Sequence, residues 1–87
     1  MSTRDLIEAR LAAANRKMGE ASRDLSLTGD LALAMARQAL ADMDFAAAAT
    51  ALQSAYRQCR GYWAKASLKD AWADLREAAV LAREAQP

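Results

Sequence analysis

Apolar residues recur along much of the chain at spacings of three and four, which is the period of an amphipathic helix. The longest series lies in the first third of the sequence and consists of Ile7, Leu11, Ala14, Met18, Ala21 and Leu25. Ser2 and Asp5 precede this series with the spacing of a capping box, in which a hydroxyl and a carboxylate satisfy free N–H groups of the first turn. The pattern predicts a first helix over about residues 4–25.

The next apolar segment, LALAMARQALAD, predicts a second helix over residues 31–42. Its apolar residues extend nearly all round the helix, which is typical of a helix buried on several sides. Ser26–Asp30 is rich in residues that favour turns, so a turn is predicted there, with Thr28 or Asp30 capping the helix. Asp42–Asp44 forms a very short link, which predicts an antiparallel hairpin with the following helix.

A third apolar series predicts a helix from about Phe45 to Arg60. Asp44 is a suitable N-cap, and Gly61 suits the left-handed position that often closes a helix. The alanine-rich first half allows close approach of another helix, so this helix is expected to be the most enclosed. The residues of the series are Phe45, Ala48, Leu52, Ala55 and Cys59.

A fourth series predicts a helix over at least residues 68–85, with Ser67–Asp70 as a second capping box. An alternative start near Tyr62 would add Ala64 to the same face. The series consists of Leu68, Trp72, Leu75, Ala79 and Ala82. The predicted fold is therefore all-α, a small up-down bundle without strands, forming one domain over residues 1–87. The bundle has four helices, or three if the third and fourth dock as one long element.

The predicted hairpin Leu31–Arg60 resembles a tetratricopeptide unit at Asp44, Phe45, Ala48 and Ala55. That family has an acidic or small residue, an aromatic residue and two small packing residues at the corresponding positions. The resemblance implies a helix–turn–helix unit and covers about a third of the chain. No second copy follows at the family's interval of about 34 residues, and no binding residues are carried over.

The core of this chain is thin, because 24 of its 87 residues are alanine. A small domain with few large apolar residues is often completed by a second chain. The composition therefore predicts a protein partner or a homo-oligomer, with the long series containing Ile7 and Leu11 as the expected contact between copies.

Charge is distributed in blocks of alternating sign. Residues 1–23 carry a net charge of +2, residues 24–44 carry −3, residues 45–69 carry +4 and residues 70–87 carry −2, which together give the net charge of +1. One interpretation is that blocks of alternating sign pair helix with helix inside the fold. The other is that the third block, which has no Asp or Glu, forms a basic surface for a partner.

The third block also holds the candidate binding site. Tyr, Trp and Arg are the residue types enriched at the energetic centres of protein interfaces, so a protein partner with an acidic surface is predicted. The alternative is nucleic acid, with the cations on phosphates and the rings stacked on bases. Trp72 and Tyr56 are expected in the core, whereas Trp63 is equally compatible with core and surface. The predicted site residues are Tyr56, Arg57, Arg60, Tyr62, Trp63, Lys65 and Lys69.

The sequence offers little for catalysis, so no enzyme, metal or cofactor is predicted. There is no histidine, and the single cysteine, Cys59, falls on an apolar face where a core role is expected. The carboxylate pairs Asp70–Asp74 and Asp42–Asp44 are interpreted as surface charge. No glycine-rich phosphate loop is present.

A single cysteine cannot form an intramolecular disulfide, so a reducing, cytoplasmic setting is predicted. No association with membranes is predicted. The N-terminal residues lack the apolar core of a secretory signal, and the longest uncharged run, Phe45–Tyr56, is far short of a membrane span. High arginine and alanine contents are consistent with a GC-rich bacterial or phage genome. The predicted function is a non-enzymatic interaction module, such as an adaptor, a small subunit or an inhibitor. An alternative within this class is a phage-encoded inhibitor of a bacterial defence complex (anti-CRISPR-like).

Overall fold

A computed structural model describes residues 2–85, which form four α-helices and one short 3-10 segment. The helices are α1 (Thr3–Ala21), α2 (Leu27–Ala41), α3 (Phe45–Gln58) and α4 (Tyr62–Ala85), and the 3-10 segment is Ser22–Asp24. No strand occurs within residues 2–85. The predicted all-α bundle of four helices is confirmed.

The helices pack as two antiparallel pairs, α1 with α4 and α2 with α3. Arg10 near the start of α1 meets Glu77 late in α4, whereas Lys17 further along α1 meets Asp74 earlier in α4. The second pair lies across the first mainly through α3 and α4. The up-down arrangement follows from these contacts.

The α2–α3 pair covers only part of the α1–α4 pair. At about 1.5 Å per residue, the 24 residues of α4 span roughly 36 Å and the 14 residues of α3 roughly 21 Å. The main cluster of buried residues accordingly extends from Ala14 in α1 to Leu75 in α4. Ile7 and Ala78 are buried outside that cluster, where α1 and α4 contact each other beyond the shorter pair.

The start of α1 is the predicted capping box. The Asp5 N–H donates to the Ser2 hydroxyl at 3.2 Å, and the Ser2 N–H donates to the Asp5 carboxylate at 3.3 Å. The helix ends at Ala21 rather than near residue 25, because the chain tightens into the 3-10 segment and becomes extended at Leu25.

The predicted turn at residues 26–30 is wrong, since α2 begins at Leu27. Its cap is Ser26, whose hydroxyl accepts from the Gly29 N–H at 3.2 Å, and not Thr28 or Asp30. The expectation that α2 is buried on several sides is also wrong. Leu31 and Met35 are each 61% exposed, because only the opposite face of the helix packs against α3 and the core.

The α2–α3 link is the tight hairpin connection that the sequence predicts. Met43 has a φ of 58°, and the Asp44 N–H donates to the Ala39 carbonyl at 2.8 Å while the Met43 N–H donates to the Leu40 carbonyl at 3.0 Å. These two hydrogen bonds form a Schellman motif, in which a residue in the left-handed conformation ends α2. The Asp44 carboxylate then caps α3 by accepting from the Ala47 N–H at 3.1 Å.

The end of α3 differs from the prediction. The helix stops at Gln58, Cys59 is extended, and Gly61 does not adopt a positive φ. Space at position 61 is limited, since a Cβ there would lie 3.2 Å from the Asp24 carboxylate, which would have to shift. Nor is α3 the most enclosed helix, since it buries four of its 14 residues and α2 buries six of 15.

The fourth helix starts at Tyr62, so residues 62–67 are helical and the predicted capping box at Ser67–Asp70 lies inside the helix. The buried apolar series shares Leu68 and Leu75 with the predicted one and differs at its other positions. Trp72 was expected in the core and is 46% exposed, and Ala71 takes its place. The buried apolar series of α4 is Ala64, Leu68, Ala71, Leu75 and Ala78.

None of the helices described over residues 3–85 has the length and hydropathy that crossing a bilayer requires.

Candidate functional site

A row of large and basic side chains follows one face of α4 and is accessible to solvent, with Lys65 half-buried and the others exposed. Its members are spaced by 3, 4, 3, 4, 4 and 3 residues, which places them along a single side of the helix. We call this row the basic stripe. It consists of Tyr62, Lys65, Lys69, Trp72, Arg76, Val80 and Arg83.

An apolar groove runs beside the basic stripe, between the antiparallel helices α3 and α4. We call it the α3–α4 groove, and its volume is about 140 Å³. Most of its wall is carbon, contributed by leucine and aromatic side chains, and Lys69 places a charge at its edge. The lining residues are Leu52, Gln53, Tyr56, Leu68, Lys69 and Trp72.

Two cations beside the groove lie over aromatic rings. The Lys65 ammonium lies 5.0 Å from the centre of the Tyr56 ring, and the Arg76 guanidinium lies 5.9 Å from the centre of the Trp72 ring. Such contacts at exposed sites are worth about 0.5–1 kcal/mol each. They hold the positive charges near the groove without neutralising them.

Tyr62 and Trp63 form a second aromatic feature, at the first turn of α4. Their rings meet edge to face, with centres 5.2 Å apart and an angle of 85° between the planes. Both are strongly exposed, at 77% and 78%. Trp63, for which the sequence left core and surface open, is therefore a surface residue. Tyr56 is partly buried and packs against the core cluster, as expected.

The structure brings together some of the predicted site residues and separates others. Tyr56, Lys65 and Lys69 meet at the α3–α4 groove. Arg57 and Arg60 are exposed at the end of α3 and in the link to α4, outside the residues that line the groove.

The four cations of the block 45–69 form no ion pair within residues 2–85. The other basic block behaves differently. Lys17 Nζ lies 2.6 Å from Asp74, and Arg10 lies 3.4 Å from Asp74 and 3.0 Å from Glu77. Ion pairs therefore join block 1–23 to block 70–87, whereas no ion pair in the described chain joins block 24–44 to block 45–69.

The sequence indicated that Asp74 is a surface charge, but this residue is buried. Its side chain is only 7% exposed, and both Lys17 and Arg10 reach it. The cause is the position of the buried alanine series, which turns Asp74 toward α1 and away from solvent. A buried carboxylate held by two cations is a structural element of the α1–α4 contact.

Sequence reasoning missed the half of the basic stripe that lies beyond Lys69. Trp72, Arg76, Val80 and Arg83 continue the same helical spacing, and that spacing was the available signal. The net charge of −2 for block 70–87 concealed it. Two of the acids in that block, Asp74 and Glu77, face α1 and are already paired there.

Cys59 is 2% exposed and belongs to the core cluster, as predicted. Its thiol lies 3.8 Å from the Gly61 carbonyl. Within residues 2–85, no three His, Cys, Asp or Glu side chains group in a way that could hold a metal ion.

A separate apolar surface lies on α2. Leu27, Leu31 and Met35 follow one another at intervals of four residues and are 88%, 61% and 61% exposed. We call this row the α2 stripe. By contrast, Ile7, which the sequence analysis placed at a contact between copies, is 7% exposed and buried within the fold.

No protein-family model, curated protein sequence or solved structure matches this chain. The α2–α3 hairpin has the helix–turn–helix shape that the tetratricopeptide resemblance implied.

Proposed function

We propose that the protein is a non-enzymatic interaction module that presents the basic stripe and the α3–α4 groove to a protein partner with an acidic surface. The observation that carries the proposal is the unneutralised charge of block 45–69. Its four cations form no ion pair within residues 2–85, although the cations of α1 at positions 10 and 17 do.

The composition of this surface supports a protein partner. Exposed Trp and Arg side chains beside an apolar groove are the combination found at the centres of protein interfaces. The apolar groove would exclude water from an inserted side chain, and the surrounding cations would attract carboxylates. Nucleic acid is the weaker alternative, because a net charge of +1 is a small electrostatic footprint.

Adaptor, small subunit and inhibitor are three forms of the same proposal, since each requires one rigid surface and no chemistry. A phage-encoded inhibitor of a bacterial defence complex (anti-CRISPR-like) would use the surface to occupy an acidic or partner-binding site. A cytoplasmic location fits a single reduced, buried cysteine.

Capture of a partner by site variants tests the proposal. Immobilised protein would be incubated with nuclease-treated host lysate, and bound proteins would be quantified by mass spectrometry. We expect a defined partner that is lost at least tenfold with Trp72→Ala or Lys69→Glu, because these changes remove the groove wall and its charge. Arg16→Ala, on the exposed outer face of α1, is the matched control and should retain it.

Trp63→Ala and Arg60→Ala test the outer part of the surface in the same assay. Retention of the partner by all four site variants, with circular dichroism unchanged, would contradict the assigned surface. Protein purified without nuclease provides the other arm. Absorbance of nucleic acid that co-elutes with the protein at low salt, and leaves at high salt, would favour nucleic acid instead.

A further inference from the structure

We infer that α2 of a second copy of this chain binds in the α3–α4 groove, so that the protein self-associates through two different surfaces. The inference uses the same groove as the proposed function, and a second copy would therefore compete with any other protein partner. Its experiment is separate, because self-association is measured on the purified protein alone.

The first argument is charge complementarity. Block 24–44 carries a net charge of −3: Asp30 and the single cation Arg37 lie on α2, and Asp24, Asp42 and Asp44 lie at or just beyond its ends. Block 45–69, which contains α3 and the start of α4, carries +4. Within residues 2–85 no ion pair joins the two blocks, although both are largely exposed. Opposite charges that remain unpaired inside one copy are available for a contact between copies.

The second argument is apolar complementarity. The α2 stripe exposes Leu27, Leu31 and Met35 on the face of α2 that points away from its own core. The groove exposes leucine and aromatic carbon between two antiparallel helices. An amphipathic helix that inserts side chains at intervals of four residues into such a groove is a recurrent mode of protein recognition.

The third argument is the placement of charge beside the apolar residues. Asp30 precedes Leu31 on α2, is exposed and has no ion-pair partner within residues 2–85. On the groove side, Lys69 lines the groove and Lys65 lies over the Tyr56 ring beside it. A helix seated with Leu31 or Met35 in the groove would bring the Asp30 carboxylate toward these ammonium groups.

The two surfaces are different, so the contact is heterologous. Each copy that binds with its α2 stripe still exposes its groove, and each copy that binds with its groove still exposes its α2 stripe. Association of this kind proceeds to rings or open chains. A single helix in a short groove also gives a small interface, and such interfaces are weak. We therefore expect a concentration-dependent mass that exceeds a dimer at high concentration.

Sedimentation velocity from the micromolar to the millimolar range, at low and at high salt, measures this association. We expect association at low salt that weakens as salt rises. Leu31→Glu on α2 should abolish it, as should the reversals Asp30→Lys and Lys69→Asp. Leu6→Glu, a partly exposed leucine on α1, is the matched control and should associate like the unmodified protein.

Mixing the two charge-reversal variants is the decisive step. Each alone places like charges opposite each other. In the mixture the Asp30→Lys helix faces the Lys69→Asp groove, and the unmodified α2 of one variant faces the unmodified groove of the other, so both contacts are complementary. Restored association in the mixture would support the contact. The inference is overturned if the protein stays monomeric at millimolar concentration in low salt. It is equally overturned if association survives Leu31→Glu, or if the mixture stays dissociated while circular dichroism shows both variants folded. Partner capture in the assay above would stand in any of these cases.

Discussion

Single residues decide how the helices of this protein begin and end. Ser2 and Asp44 were predictable as caps, because a cap acts on N–H groups two or three residues away and local sequence is sufficient to identify it. Gly61 was mispredicted for the opposite reason. It does not adopt the left-handed conformation, and its nearest non-local neighbour is the Asp24 side chain, which comes from a distant part of the chain.

Met43 has a backbone conformation that is unfavourable for a residue with a Cβ atom. It closes α2 with a φ of 58°, a left-handed conformation that costs a residue with a Cβ about 1 kcal/mol or more. Glycine is the residue most often found at this position of a Schellman motif. Met43 is 48% exposed, so only part of the burial of a methionine side chain would be lost on its removal.

We therefore predict that Met43→Gly stabilises the protein by about 1 kcal/mol, measured as the free energy of unfolding in urea. Met35→Gly is the matched control, because Met35 is also exposed but lies inside α2. The same substitution there should destabilise by about 1 kcal/mol. Equal effects of the same sign at both positions would show that the left-handed conformation of Met43 carries no cost.

At the scale of the element, α4 shows what a helical pattern predicts and what it does not. The helical spacing of its apolar residues was predicted correctly. Trp72 was predicted to be buried, but the buried residue is its neighbour Ala71. The reason is that α1 and α4 lie close together, so their contact admits Ala71 and Ala78, both 0% exposed. Tryptophan is more hydrophobic than alanine, but the narrow space between two closely packed helices admits alanine and excludes tryptophan.

The close contact gives a prediction for α4. Ala78→Leu should destabilise the protein by about 1–3 kcal/mol, because the extra atoms would force α1 and α4 apart. Ala73→Leu, on the exposed side of the same helix, is the control and should change the free energy of unfolding by less than about 0.5 kcal/mol. The measurement is urea unfolding followed by circular dichroism. A small effect of Ala78→Leu would mean that the two helices separate easily at that end.

The whole molecule is 40 Å long and 19 by 14 Å across, and its stability is expected to vary along that length. At one end the α2–α3 pair covers α1 and α4, and the core cluster lies there. At the other end the two long helices have only each other. Regions with few buried contacts open locally at lower free energy than the core.

Hydrogen exchange should reveal this difference within α4 itself. We expect amides of residues 79–83 to exchange at least about tenfold faster than those of residues 68–72, equivalent to an opening free energy lower by about 1.4 kcal/mol. Both segments are internal to one continuous helix, so the comparison controls for helix type. Uniform protection along α4 would contradict the prediction.

The candidate site was predictable in part at this scale. The basic block before Asp70 was visible because the chain there has no acid, and Tyr56, Lys65 and Lys69 do meet in the structure. The continuation to Arg83 was not recognised, because net charge along the sequence averages over residues that face opposite sides of one helix. The α2 stripe was missed because the sequence does not specify which sides of an apolar helix find neighbours.

The separation of charge across the fold gives this nearly neutral molecule a dipole. Unpaired cations lie on the outer side of α4, whose acids Asp74 and Glu77 are neutralised by Lys17 and Arg10, whereas block 24–44 carries −3 and contains α2, which does not pack against α4. A field from an acidic surface would rotate the molecule before contact, so that encounter begins with the basic side leading. On a cation-exchange resin, the protein would therefore be retained more strongly than its net charge of +1 implies. The reason is that the resin contacts the basic side of the protein, where the local charge exceeds the net charge.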